Sequence, residues 1–328
     1  MAKIRILSAE DVRAALPMAE AIGAAREAFT QMQRGEATVP PRAHIDVADH
    51  RGVALFMPSL LPRTGRMGVK AITLFDGNPA IGLPRIQAVM LVLDAGNGTP
   101  LAVMDAGTLT ALRTGAGSGV ATDLLARPDA DSVAILGAGN QARTQLEAVC
   151  CVRPVRRVWV VDPVRPAAEG FAAEMSARLG VPVHVAADAS EALREASIVC
   201  AATVAVTPVF ADADLQPGAH VNAIGSYKPH VQEIPSATMA RARVVVDHLA
   251  SALDETGDLL IPIGEGVFSA DRVHAEIGDV LLGAKPGRAT RNEITVYKSV
   301  GVAVMDLAAA ALALDRAEQM GLGTEAML

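Results

Sequence analysis

Residues 132–162 set the tightest limit on what this chain can fold into. The apolar run Ser132-Val133-Ala134-Ile135-Leu136 leads into Gly137-Ala138-Gly139-Asn140-Gln141-Ala142, and a second apolar run then ends in Asp162. The run 133–136 predicts a strand buried on both faces, and 141–152 predict the crossover helix that a parallel strand requires. Gly137 permits a tight turn, Gly139 removes a side chain that would obstruct a pyrophosphate, and Ala142 lets the helix pack close to the strand. Asn140 and Gln141 open that helix, whose free N–H groups and positive dipole end attract a diphosphate. Strand 158–161 follows, and Asp162 stands at its end, where a carboxylate can accept both hydroxyls of an adenosine ribose. A glycine-rich turn alone would say little. Strand, loop, helix, strand and acid in this order predict a dinucleotide site.

Asp162 also bears on which dinucleotide is bound, because its charge would repel the extra phosphate of NADP in a poorly solvated pocket. NAD(H) is favoured. Arg165, three residues on, can pair with a phosphate and keeps NADP(H) as the alternative.

At 328 residues the chain suits two domains. Aromatic residues make up 3% and the net charge is −7, which together argue against a nucleic-acid partner. Cys150, Cys151 and Cys200 lack metal-ligand spacing and are expected to be small core residues in a reducing compartment, with no metal site. Neither a cleavable leader nor an apolar run of membrane-spanning length is visible, so a soluble, cytoplasmic protein without membrane partners is expected. Asn97-Gly98-Thr99 reads as a hairpin turn.

Residues 9–34 have helical periodicity. Short alternating or apolar segments at 43–47, 53–57, 67–75, 87–93 and 101–104, punctuated by Pro, Gly, Asp and Asn, predict a mainly antiparallel sheet. A helix is expected over 106–126. From 132 onward strands alternate with helices, at 158–161, 181–186, 198–202, 221–224 and 244–246, which is the doubly wound pattern. Residues 295–319 read as one long helix that returns to the first domain. The predicted fold class is therefore α/β: a Rossmann-type doubly wound parallel sheet, 127–301, plus an α+β substrate-binding and dimerisation domain formed by 1–126 with 302–328.

Three basic residues outside the nucleotide segment are candidates for the substrate pocket. Arg42 follows Pro40-Pro41, Lys70 lies inside the apolar run Met67-Gly68-Val69-Lys70-Ala71-Ile72, and Arg113 sits in Leu112-Arg113-Thr114-Gly115-Ala116. A charge inside an apolar strand is costly unless it is paired or functional. A structural salt bridge and a substrate contact are equally good readings of Lys70, and for Arg42 taken singly the salt bridge leads.

Read together, Pro40-Pro41-Arg42, Gly68-Val69-Lys70, Leu112-Arg113-Thr114-Gly115-Ala116, Gly137-Ala138-Gly139-Asn140-Gln141-Ala142-Arg143, Asn222-Ala223-Ile224-Gly225-Ser226 and Ile294-Thr295-Val296-Tyr297-Lys298-Ser299-Val300-Gly301 resemble the ornithine cyclodeaminase/mu-crystallin family. The resemblance runs across nearly the whole chain. It implies a nicotinamide-dependent enzyme of amino or imino acids, a homodimer whose first domains pair through their sheets, and a substrate carboxylate surrounded by Arg42, Lys70 and Arg113. A bidentate Arg113 and a compact Lys70 charge suit that role, with Lys70 as the proton donor, and nearby guanidinium groups would lower its pKa. Met57 matches a pocket position of the family. Thr114 is expected to bring its backbone N–H towards the cofactor phosphates, Gly225 and Ser226 to bind the cofactor, and Lys298 and Ser299 to lie at the nicotinamide end. His44 and Asp247 read as structural or supporting groups, and Glu265 as a solvated loop residue.

Within the family, cyclodeaminases and alanine dehydrogenases usually carry an aspartate in a Gly-x-Asp-x-Pro-Gly-Lys setting. Here Gly225-Ser226-Tyr227-Lys228-Pro229-His230 places Tyr227 at that position. Deamination through an imine needs a base there, whereas reducing a ready-made ketimine needs a carboxylate clamp, a proton source and a hydride. The resemblance is thus nearest to the ketimine reductase branch, and implies an NAD(P)H-dependent reductase of a small cyclic imino acid such as pyrroline-2-carboxylate or piperideine-2-carboxylate. An ornithine cyclodeaminase or alanine dehydrogenase using another base, His230 or an unplaced acid, is one alternative. A non-catalytic, crystallin-like nicotinamide-binding protein is the other.

Overall fold

The computed structural model describes residues 3–328. It divides into two compact units, one running to Arg113 and including Val302–Leu328, the other Thr114–Gly301. The division falls inside a helix, ahead of the 126/127 boundary read from the sequence.

In the first unit the described residues form a seven-stranded sheet in the order β15-β1-β6-β5-β4-β3-β2. Its strands are β1 (Lys3–Leu7), β2 (Ala43–Val47), β3 (Gly52–Leu61), β4 (Arg66–Phe75), β5 (Ile86–Asp94), β6 (Pro100–Asp105) and β15 (Thr324–Met327). All pairings are antiparallel except β1 with β6. The predicted meander β2–β6 is present, with Asn97-Gly98-Thr99 in the β5–β6 turn and Gly98 at positive φ. The edge strand β15 and its neighbour β1 were not read from the sequence; they are only four and five residues long. Residues 9–34 form two helices, α1 (Ala9–Ala15) and α2 (Met18–Gln33), rather than one. Ser8 and Asp11 make a capping box at the start of α1, and Pro17, which has no N–H to donate, separates the two.

The helix read as starting at 295 is also corrected. Thr295–Lys298 is the fully buried strand β14, and the helix α11 spans Ala303–Met320. Thr295, Val296 and Tyr297 favour a pleated, buried site, and β14 fills the gap between two other strands. Gly301, at φ 81°, makes the break before α11. That helix packs on α2 and across β3, β4 and β5.

In the second unit an eight-stranded sheet, parallel throughout, has the order β13-β12-β14-β11-β10-β7-β8-β9. Its strands are β7 (Ser132–Leu136), β8 (Arg157–Val161), β9 (Val183–Val185), β10 (Ile198–Ala201), β11 (His220–Ala223), β12 (Arg243–Val246), β13 (Val273–Glu276) and β14. The connecting helices are α4 (Asn140–Val152), α5 (Arg165–Leu179), α6 (Ala189–Leu193), α7 (Ser236–Arg241), α8 (Leu249–Glu255), α9 (Gly257–Gly264) and α10 (Ile277–Leu281). The remaining helix, α3 (Ala106–Leu125), carries the chain from the first unit into the second. Val133 and Ile135 enter one apolar cluster while Ala134 and Leu136 enter another, so successive residues of β7 fill cores on opposite faces. This is the Rossmann-type doubly wound sheet.

Among the described residues, no helix is long and apolar enough to cross a membrane, and no group of His, Cys, Asp and Glu is placed to hold a metal ion. Cys200 is buried and Cys150 half-buried, but Cys151 is exposed on α4 and is not a core residue. Burial pushes the Cys150 and Cys200 thiols up to about 12.

Candidate active site

Lys70 lies in the middle of β4, in register with Met57 on β3 and Met90 on β5, and Met90 in turn faces Met104 on β6. The three methionines and the lysine form one buried cross-strand row. Directly opposite residues share a face of the pleat, so this row presents Lys70 to an apolar, polarisable setting. The charge is not left alone there. Lys70 Nζ lies 2.8 Å from both carboxylate oxygens of Asp306 in the first turn of α11. Arg113 Nε donates to Asp306 Oδ1 at 2.9 Å. Lys70 is 1% exposed, Arg113 7% and Asp306 0%, which makes this a buried cation–anion–cation bridge.

Burial pushes the Lys70 ammonium down to about 8; Asp306 opposes the fall, while Arg113 and Arg42 add to it. Burial alone would raise the Asp306 carboxyl, but Arg113 and Lys70 outweigh it and hold it below the usual carboxylate value. Arg42, half-buried just before β2, is close enough for its charge to weigh on Lys70. The structure thus brings Arg42, Met57, Lys70 and Arg113 together within the first unit. Two cations, Lys70 and Arg113, share the one carboxylate of Asp306. Arg113 uses Nε on Asp306, and among the described residues its two terminal nitrogens make no hydrogen bond, so the planar end of the fork remains for a carboxylate. His44 stands exposed on β2.

Asp306 was absent from the sequence-based set. The signal was there: it is the one acid in Ala303-Val304-Met305-Asp306-Leu307-Ala308, and a charge in an apolar run demands a partner.

In the second unit, Gly137 has φ 97°, and a Cβ there would meet the Ala202 carbonyl oxygen at 2.7 Å, so the turn admits only glycine. Gly139 is different. A Cβ on it would meet nothing within 4 Å, so no packing demand within the protein explains the missing side chain. Gly139 is also the N-cap of α4 and offers no side-chain cap, which leaves the first N–H groups, at Asn140 and Gln141, available to an anion. Ala142 is fully buried under the strand. Asp162 stands beside this loop: Oδ2 accepts from Ala138 N at 2.9 Å and Oδ1 from Val164 N at 2.8 Å. Each oxygen keeps a second lone pair for a hydroxyl. These features fit the diphosphate and ribose of a dinucleotide. Arg165 is exposed and pairs with Glu169 one turn along α5.

Other candidates are placed differently from their sequence reading. Thr114 lies in mid-course of α3, so its backbone N–H is consumed by the helix and cannot turn to a phosphate. Its neighbour Gly115 serves packing instead, since a Cβ there would lie 2.5 Å from the Thr144 carbonyl oxygen on α4. Lys298 is neither solvated nor at a helix start. It is fully buried at the end of β14 and ion-paired with Asp258 at 2.9 Å. Ser299 donates to Asp247 at 2.8 Å, and Asp247 also accepts from the backbone N–H groups of Val300 and Gly301. Ser226 is buried, donating to the Val231 carbonyl and bonded to Thr256. These side chains fix loops at the carboxyl ends of the strands.

Glu233, not foreseen from the sequence, has the same function. It accepts from Thr203 N and Oγ1 and from Gly225 N, so both oxygens are engaged. Burial pushes its carboxyl up, with Lys298 and Thr203 pulling the other way. Tyr227 is half-buried beside Lys228, and His230 and Glu265 are exposed.

Comparison with known proteins spans nearly the whole chain. The family model described as "Ornithine cyclodeaminase/mu-crystallin family" matches residues 2–321. The chain is 40% identical over 321 residues to a Delta(1)-pyrroline-2-carboxylate reductase of Bacillus cereus, covering 98% of each chain. Among solved structures, the Delta(1)-pyrroline-2-carboxylate reductase of Thermococcus litoralis in complex with NADH and L-proline superimposes with a TM-score of 0.95 at 40% identity, over 98% of this chain and 99% of that one. An archaeal alanine dehydrogenase dimer with bound NAD gives a TM-score of 0.93 at 34% identity, over 99% of both chains.

Proposed function

The chain belongs to the ornithine cyclodeaminase/mu-crystallin family, and on that premise we propose that it is an NAD(P)H-dependent reductase of a small cyclic imino acid, of the pyrroline-2-carboxylate or piperideine-2-carboxylate type. The observation that carries this reading is the Lys70–Asp306–Arg113 bridge with Arg42 beside it. Its excess of positive charge suits one substrate carboxylate. Arg113 takes the carboxylate on its planar end, and Arg42 adds charge from the side. Lys70, held near an ordinary working pH at about 8, keeps the imine nitrogen protonated. Met57 lines the row beside it. The Bacillus cereus and Thermococcus litoralis relatives, similar over nearly their whole length, are named for this reaction. Tyr227 in place of the aspartate, with Glu233 committed to backbone and hydroxyl donors, disfavours deamination.

Gly137, Gly139, Asn140, Gln141 and Ala142 would hold the dinucleotide diphosphate and Asp162 the adenosine ribose. Thr114, through its side chain only, and Gly225, Ser226, Lys298 and Ser299 would act as or support the rest of the cofactor pocket, the last three through the loops they tie down. The bound nicotinamide supplies a hydride to the imine carbon, which with one proton on nitrogen gives the cyclic amino acid. Asp162 makes NAD(H) the preferred form. Arg165, with only an exposed pairing to Glu169, is the residue that would admit NADP(H).

The protein is further proposed to be a homodimer and to work in the cytoplasm. On the sheet face opposite Lys70, Ile45 (55% exposed) on β2, Phe56 (37%) on β3 and Val89 (42%) on β5, with Ala71 of β4 between the last two, form an exposed apolar patch, and a related alanine dehydrogenase is a dimer.

The test is a substrate panel with NADH and NADPH: pyrroline-2-carboxylate, piperideine-2-carboxylate, and pyruvate with ammonia, then proline, ornithine and alanine in reverse. Efficient reduction of a cyclic imino acid is expected. Ammonia release from ornithine or alanine as the best reaction would refute the proposal.

A further inference from the structure

Lys70, Arg113 and Arg42 serve the substrate carboxylate, and one charged group of the cluster remains, Asp306. Asp306 is fully buried, is the anion among the described groups that bear most on Lys70, and touches both Lys70 and Arg113. We propose that Asp306 is a positioning residue of the reduction: its carboxylate bridges Lys70 and Arg113, keeps the lysine as an ammonium, and fixes the guanidinium so that its terminal nitrogens meet the substrate. This inference rests on the imino-acid reductase reading.

Geometry supports the bridge in three ways. Asp306 offers two oxygens to one ammonium at equal distance, 2.8 Å, which pins Nζ against rotation out of the row. The same Oδ1 takes Arg113 Nε, the inner donor of the guanidinium, and so directs the outer edge away from α11. Finally, Asp306 sits in the first turn of α11, whose N-cap Val302 supplies no side-chain bond, so the helix dipole favours a negative charge there. The Ser59 hydroxyl donates to the Ala303 carbonyl, fastening this end of α11 to β3.

Charge makes the bridge consequential. The groups bearing on Lys70 are Asp306 from α11, Arg113 from α3 and Arg42 from the segment before β2; the cross-strand neighbours Met57 and Met90 carry no charge. Without Asp306 the lysine would have two guanidinium neighbours, a dry setting and no counter-charge. It would shed its proton at lower pH, and the imine nitrogen would lose its donor there. A residue needed only for packing would have no such effect on protonation.

The test is Asp306→Asn, which keeps shape and one acceptor oxygen but removes the charge. The kcat/KM of wild type for pyrroline-2-carboxylate is expected to fall on the alkaline side as Lys70 deprotonates. In Asp306→Asn that limb should move to lower pH by about one to three units, the range for loss of a contacting opposite charge. NADH affinity should be unchanged, and lowering the pH should recover part of the activity. A folded Asp306→Asn protein with its limb in the wild-type position would overturn the proposal. Should that variant fail to fold, Asp306→Glu decides: retained charge predicts an unmoved limb with reduced kcat, and an unreduced kcat would count against positioning. If the wild type reduces no cyclic imino acid, the functional reading itself falls; if wild type is active and the limb stays put, this inference alone falls.

Discussion

Replacing Lys70 with methionine separates chemistry from stability more cleanly than any other change at the site. Methionine matches the length and apolar stem of lysine, and the position already lies between Met57 and Met90 in the cross-strand row. Removing the ammonium leaves Asp306 paired with Arg113 at 2.9 Å, so no buried charge is orphaned. Burial, with Arg113 and Arg42 adding to it and Asp306 opposing it, lowers the Lys70 pKa from 10.5 to about 8, so holding the charge there is a net cost. That cost vanishes with the charge, so the melting temperature should change little or rise. Activity should not survive. Losing a positioned proton donor costs about 10²- to 10⁴-fold, and losing a charge-assisted bond to the substrate carboxylate costs about 1.5–3 kcal/mol more. The value of kcat/KM for pyrroline-2-carboxylate should therefore drop by at least about 10³-fold, with NADH binding intact by fluorescence titration. Turnover within tenfold of wild type in a folded Lys70→Met protein would refute the role given to Lys70.

Gly139→Ala should leave folding nearly untouched, because the added Cβ meets nothing and the backbone at φ −81°, ψ −172° suits alanine, yet should weaken NADH binding by at least about tenfold; unchanged affinity would remove the diphosphate from this loop. His220 is fully buried between Thr295 and Asn222, and burial, with Arg288 nearby, pushes it down to about 3. A folded pKa below the unfolded one means that the unfolded chain binds the extra proton first. This stabilisation is therefore complete above about pH 6.5 and is lost as the pH falls towards about 3, by up to about 5 kcal/mol. Urea midpoints of wild type and His220→Gln should converge with acid, and parallel pH curves would contradict that. Phe56→Asp places a charge on the uncovered sheet face and should shift the protein from dimer to monomer by light scattering, whereas a dimer unaffected by it would place the interface elsewhere.

The nucleotide half was legible because its signals are local: 132–162 hold strand, loop, helix and acid within one crossover, and each lies where the spacing put it. Lys70 was legible through cost, as a charge in an apolar strand. Its partner was not sought by the same rule, since Asp306 is 236 residues away and only the packing of α11 over β4 joins them. Lys298 shows the opposite error. Read as the opening of a helix, it is the buried end of a central strand, because the slot between β11 and β12 overrides the helical periodicity that continues into α11. Thr114 falls within the helix read over 106–126, and that helix consumes the backbone N–H that a phosphate would need.

The central claim is that this chain moves a hydride from a reduced nicotinamide to the imine carbon of a cyclic imino acid. The most direct measurement supplies NADH deuterated at the transferable position together with unlabelled pyrroline-2-carboxylate and locates the label in the product. One deuterium at Cα of proline, with stoichiometric loss of NADH, is the predicted result. Proline without label, or NADH left unconsumed by a folded, NADH-binding protein, would contradict it.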